Sequence, residues 1–159
     1  MKRTLIYLAI CILLISCSTE RGTVEIESLS KKVFEALRDD DFGGIKEIIP
    51  NKNNYEKIYA MMGSADSIHI DELYAKFLEV SEKDFNNVRS QFPDWDNAVY
   101  AHTNEEVNKV DNVSRTLVTT KFTVDNIAYK ITFTGAKING RWYYYEGMQL
   151  LKQEEPIPQ

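Results

Sequence analysis

From Ile26 onward the apolar positions recur three or four residues apart, at Leu29, Val33 and Leu37, while Lys31, Lys32, Glu35 and Arg38 fall between them. That spacing lines one face of an α-helix. A second helix is predicted after Asp41, a capping residue ahead of Phe42, Ile45, Ile48 and Ile49, with Pro50 as its stop. Asp39-Asp40-Asp41 also has the composition of a metal-binding cluster, but capping and solvation account for it more simply. Asn53 or Asn54 can cap a third helix, with Ile58 and Met62 inward and Gly63 at its end. A longer helical stretch runs from about Ile70 to Phe92 and carries Leu73, Phe77, Phe85 and Val88. Within it Ser81 and Asp84 have capping-box spacing, which leaves open one helix or two, and Pro93 closes it.

Beyond Asp94-Trp95-Asp96 the period changes to two, and turn signals appear at Asp111-Asn112, Asp125-Asn126 and Asn139-Gly140. Four antiparallel strands are predicted, over 98–110, 113–124, 127–138 and 141–151. Two-residue turns set their register. Phe122 falls opposite Tyr129, Thr120 opposite Ile131 and Val118 opposite Phe133. In the last hairpin Tyr129 meets Leu150, Ile131 meets Met148, Phe133 meets Glu146 and Gly135 meets Tyr144. Opposed residues share a face. One face then collects Val118, Phe122, Val124, Ile127, Tyr129, Ile131, Phe133, Trp142, Met148 and Leu150, and the other is rich in Thr and Lys. Two of Tyr143-Tyr144-Tyr145 fall on that second face as a cross-strand aromatic patch. Helices followed by a one-sided antiparallel meander make an α+β domain with the helices on the apolar face.

The chain begins differently. Lys2 and Arg3 precede an apolar run from Leu5 to Ile15. As a helix this run reaches roughly 16 Å, about half the hydrocarbon thickness of a bilayer, so it fits a signal-peptide core and not a spanning helix. It ends Leu14-Ile15-Ser16-Cys17, which resembles the lipobox of bacterial lipoproteins. The resemblance implies cleavage after Ser16, lipid on the Cys17 thiol and a partner that is the bilayer itself. Cys11 lies in the discarded core, so Cys17 is the one cysteine left and an internal disulfide is excluded. Several acyl chains on one cysteine anchor firmly where a single chain does not. By the same resemblance Ser18, in place of an Asp, favours the outer over the inner membrane of a bacterial envelope. The organisation reads as a signal peptide over 1–16, a lipidated tether over 17–22, one domain over 23–152 and a flexible tail over 153–159.

Two segments carry a second resemblance. Val33 through Phe42 is similar to the opening helix pair of NTF2-like domains, and Ile138-Asn139-Gly140-Arg141-Trp142-Tyr143-Tyr144 to their final hairpin, especially in small envelope lipoproteins. This implies an NTF2-like or cystatin-like cone in which a sheet wraps on helices and a pocket lies between them.

Composition narrows the chemistry. Of 159 residues 43% are hydrophobic and 27% charged, a globular balance. The formal charge of -5 moves to -7 once the first sixteen residues are removed, because they hold two basic and no acidic side chains. Nucleic acid is excluded as a partner, since phosphate binding needs clustered Lys and Arg. His69 and His102 have no partner at metal-ligand spacing, and no nucleophile or phosphate-loop motif is present, so neither metal nor cofactor is expected. Glu146 is the one acid that the register turns inward. With Thr116, Phe133, Trp142 and Tyr144 it is expected to bound a cavity open near Trp142, where Gly135 leaves space, and to have no second acid beside it. The preferred reading is a non-catalytic domain that binds a small ligand or an envelope protein. The alternative is an NTF2-like enzyme for a small hydrophobic substrate, with Glu146 as a desolvated general base.

Overall fold

The computed structural model describes residues 21–61, 69–92, 94–110 and 113–152. Helix α1 is Ile26–Asp39, α2 Phe42–Ile48, α3 Lys52–Met61 and α4 Ile70–Ser90, and a 3-10 turn follows at Trp95–Asn97. The strands are β1 (Val99–Val110), β2 (Val113–Val124), β3 (Ile127–Ile138) and β4 (Arg141–Lys152), in the order β1-β2-β3-β4, all antiparallel. The domain is α+β, as the pattern predicts. Cys17, the expected signal peptide and tail, Met62, Gly63, Pro93 and the Asp111-Asn112 turn lie outside the described residues.

The amphipathic face of α1 lies on the sheet. Leu29, Val33, Phe34 and Leu37 are buried with Val118, Phe122, Ile131 and Phe133, and Ile45, Ile48, Phe85 and Val88 from α2 and α4 join the same core. Apolar burial of this size is the main favourable term in folding, about 1.5–3 kcal/mol for each large side chain. One polar pair crosses the interface: Ser30 Oγ and Thr120 Oγ1 are 2.5 Å apart and both fully buried. Each hydroxyl satisfies the other, which fixes α1 along β2. The far end of α1 is held by α4, whose Arg89 donates to the Leu37 carbonyl and meets Asp40 at 2.7 Å.

Asp41 stands at the N-cap of α2 but makes no side-chain capping bond. Asn51 caps α3, accepting from the Asn54 amide at 2.9 Å, in place of the expected Asn53 or Asn54. Helix α4 is unbroken, because Ser81 Oγ returns to the Phe77 carbonyl at 2.8 Å and does not cap a new helix. Asp125, Asn126, Asn139 and Gly140 all have positive φ, as two-residue hairpin turns require. A second, smaller core lies on the opposite face of β3 and β4. Ala136, Ile138, Tyr143 and Tyr145 alternate with the inward positions and are covered by Tyr55 and Ile58 of α3 and by Leu73, Tyr74 and Phe77 of α4. The outward tyrosines are therefore buried, and Tyr143 Oη accepts from Asn54 Nδ2 at 3.0 Å.

Candidate functional site

Of the five expected cavity residues, Thr116, Phe133, Trp142 and Tyr144 do point inward, with Phe133 and Tyr144 rings 5.7 Å apart. The space between them is filled. A Cβ on Gly135 would lie 3.3 Å from Val118 and 3.4 Å from Leu29, so α1 occupies the room expected to be empty. The strand end near Trp142 is closed as well. Thr23 and Trp142 exchange two backbone hydrogen bonds of 2.9 and 2.7 Å, and the segment before α1 lies along the edge of β4. The expected opening at this end is thus corrected.

Glu146 is corrected too. The β2–β3 register holds as predicted, and so does Gly135 opposite Tyr144. Beyond that pair β4 contains two extra residues: Thr134 faces Glu146, Thr132 faces Gln149 and Ile131 faces Leu150. Glu146 therefore shares a face with Thr134, not with Phe133, and is exposed. It is not the enclosed carboxylate that a desolvated base requires. Bulges of this kind leave amides unpaired in the ladder, and here α4 brings a carboxylate close to them. The Asp84 carboxylate lies beside the backbone amides of Gly147 and Met148, which favour its charged form. Burial raises the Asp84 pKa above the usual carboxyl range, opposed by these amides and by Lys83.

Asp84 and Glu146 flank a narrow cleft of about 190 Å³ between α4 and β4, with Tyr55, Phe77, Tyr144 and Tyr145 in its walls. The expectation of no second acid fails here. Tyr55 and Phe77 stack at 4.8 Å, and Phe77 and Tyr145 at 6.0 Å. The Tyr144 hydroxyl is buried without a hydrogen bond of ordinary geometry, close to the Met148 amide and Asp84; burial first, then the Asp84 charge, push its pKa up. Tyr144 and Glu146 thus share a site, while Thr116, Phe133 and Trp142 belong to the core.

A larger cleft opens at the other end of the sheet's inner face. It measures about 520 Å³, within the range of small-molecule pockets. Phe92, Val124, Ile127, Tyr129 and Leu150 form its apolar lining, and Gln91, Asp94 and Asp125 bring polar groups to it. Phe92 and Tyr129 lie 4.8 Å apart, over Trp95 and Phe122. The cleft exists because α4 ends at Ser90 while β2, β3 and β4 continue past it. None of its residues was a sequence candidate. The available signal was an apolar pair, Val124 and Ile127, astride a tight turn, where the inward face runs out of helix to cover it.

Among the described residues no group of three or more His, Cys, Asp or Glu could hold a metal ion. None of the described helices is long and apolar enough to cross a membrane.

No protein-family model and no curated protein matches the chain. Among solved structures, the crystal structure of a cystatin-like protein from Ruminococcus gnavus is similar in fold, with a TM-score of 0.51 and 13% sequence identity. The likeness covers 81% of this chain and 46% of that one, so this chain spans less than half of that protein's length. It supports a cystatin-like α+β fold.

Proposed function

We propose that the protein is a bacterial envelope lipoprotein, anchored to the bilayer through acylated Cys17, whose domain binds a small, largely apolar ligand without catalysing its conversion. The observation that carries the binding half is the cleft at the β2–β3 end. It combines the volume of a small molecule, an apolar lining and two carboxylates, Asp94 and Asp125, with no basic side chain among its lining residues. A ligand with an apolar body and a hydrogen-bond-donating or cationic head suits that arrangement. The anchoring half rests on Leu14-Ile15-Ser16-Cys17 behind a short apolar core, and Ser18 supports the outer membrane over the inner.

Two experiments test the halves separately. Cys17→Ala is expected to abolish fatty-acid labelling and to release the protein from the membrane fraction; labelling that persists refutes the anchor. For the cleft, a chain starting at residue 21 retains the contacts of Arg21 and Gly22 with the domain. It is expected to enhance the fluorescence of the neutral probe N-phenyl-1-naphthylamine. Ile127→Asp places a charge on a side chain that is 44% exposed. It should weaken probe binding at least tenfold and leave the melting temperature unchanged. Unchanged affinity moves the site elsewhere.

One observation favours the enzymatic alternative, and it transfers the role from Glu146 to Asp84. Asp84 is the desolvated acid, next to a tyrosine hydroxyl with no ordinary partner. Its place beside the Gly147 and Met148 amides at the bulge gives it a structural task already, so binding is the better supported reading.

A further inference from the structure

The described chain begins at one end of the sheet, and that end differs in charge from the other. Arg141 Nε donates to the Arg21 carbonyl and Arg141 Nη2 to the Gly22 carbonyl, each at 3.0 Å, while the Gly22 amide donates to the Glu47 carbonyl at 2.9 Å. With the Thr23–Trp142 bridge, these bonds fix where the N-terminal segment leaves the domain: beside the β3–β4 hairpin. Arg21, Lys137 and Arg141 surround this exit, and Val24 next to it is 67% exposed. Among the described residues Glu25 and Glu47 are the nearby acids, and Glu47 is engaged by Lys32 at 3.5 Å; in the sequence Glu20 adjoins Arg21. The opposite end carries Asp94 and Asp125 in the lining of the larger cleft and Asp96 in the adjoining 3-10 turn.

We infer that the β3–β4 hairpin end is applied to an anionic lipid surface and that the larger cleft opens away from it. The inference rests on the anchoring of Cys17. Four residue steps separate Cys17 from Arg21, at most about 14 Å of extended chain. The twelve-residue strands run roughly 35 Å at about 3.3 Å per residue, far more than so short a tether lets the domain turn over. A covalent anchor at the basic end brings Arg21, Lys137 and Arg141 to lipid phosphates, whose charge attracts them. The acidic end is then repelled from the same surface. The geometry presents the cleft to soluble ligands or partners and not to molecules within the bilayer.

The test uses full-length, lipidated protein in vesicles of phosphatidylethanolamine and phosphatidylglycerol. Lipidation occupies Cys17, so an introduced cysteine can be labelled alone with a fluorophore, at Ser114→Cys near the basic end or at Thr123→Cys near the other. A headgroup-bound spin label in the vesicles should quench the first probe several-fold more than the second, and Lys137→Glu should reduce that difference. Equal quenching, or stronger quenching at Thr123→Cys, in protein that floats with the vesicles overturns the orientation and leaves the anchor standing. Flotation no better than that of Cys17→Ala overturns the anchor, and the orientation falls with it.

Discussion

Gly147 tests the register of β4 most directly. Its φ is +74°, and a Cβ built there would have no atom within 4 Å. A substitution therefore meets no steric obstacle, and its cost is the backbone conformation alone. For an L-residue the left-handed region costs about 1–2 kcal/mol, more for a β-branched side chain, and less for Asn, which tolerates it. Gly147→Ala should thus destabilise by about 1–2 kcal/mol, Gly147→Val by more and Gly147→Asn by less. In a domain of this size each kcal/mol lowers Tm by roughly 4 °C. Gly140, with φ +78° and equally open surroundings, provides a reference for the size of the effect. Thermal unfolding followed by circular dichroism reads the series. An unbroken two-residue hairpin would instead give residue 147 extended backbone, where Gly147→Ala or Gly147→Val should be neutral or stabilising. It would also return Glu146 to the interior opposite Phe133, so Glu146→Leu should then raise Tm. With Glu146 exposed, the change should lie within about 0.5 kcal/mol. Neutral Gly147 variants together with a stabilised Glu146→Leu would refute the bulged register.

Ser30→Ala should cost about 1–3 kcal/mol in urea unfolding by leaving the Thr120 hydroxyl buried and unpaired, and adding Thr120→Val should recover most of the loss; simple additivity would deny the pair. Leu29→Ala, at a fully buried position against Gly135, should cost about 2–5 kcal/mol by opening a cavity under α1, and a cost below 1 kcal/mol would mean that α1 does not fill the inner face. Burial holds Asp84 above the ordinary carboxyl range, so folding favours its protonated form. Relative to Asp84→Asn, the native chain should lose stability as pH rises from about 3.9 through the raised value and then level off, whereas a difference flat from about pH 3 to pH 7 would contradict that environment.

The elements were legible where a single periodicity governs a segment. Leu29, Val33 and Leu37 could face only one way on a helix, and the β2–β3 hairpin, free of bulges, has the register that its turn imposes. Errors begin where a residue answers to a tertiary partner. Gly147 interrupts a strand pattern, a recognised sign of a bulge, but the count of extra residues depends on α4 lying against β4, with Asp84 beside the Gly147 and Met148 amides. Asn51 and Ser81 differ from expectation within their own turns, where neighbouring polar residues compete for one backbone group. The burial of Tyr143 and Tyr145 requires α3 to cross to the second face, and nothing in the period-two pattern of β4 specifies that crossing. The closed end near Trp142 has the same origin, since the Thr23–Trp142 bridge joins residues more than a hundred positions apart through their backbones, with no side-chain signature.

The two extra residues in β4 matter together. A single insertion would have turned every later side chain to the opposite face and exposed Leu150. Two insertions restore the parity, so Leu150 still faces inward, opposite Ile131 in place of the expected Tyr129, and the inner face is continuous. The reversal is confined to the stretch between them, which holds Glu146. There the strand is bulged against α4, the acid turns outward, and the Gly147 and Met148 amides lie beside Asp84. The distortion therefore removes the one sequence candidate for a general base from the interior without disturbing the core on either side of it. At the other end of the same strand, Leu150 continues inward beyond the last turn of α4 and becomes a wall of the larger cleft. Restored parity thus links the two sites: the insertions that move Glu146 outward also keep apolar side chains facing the one part of the sheet that the helices leave uncovered.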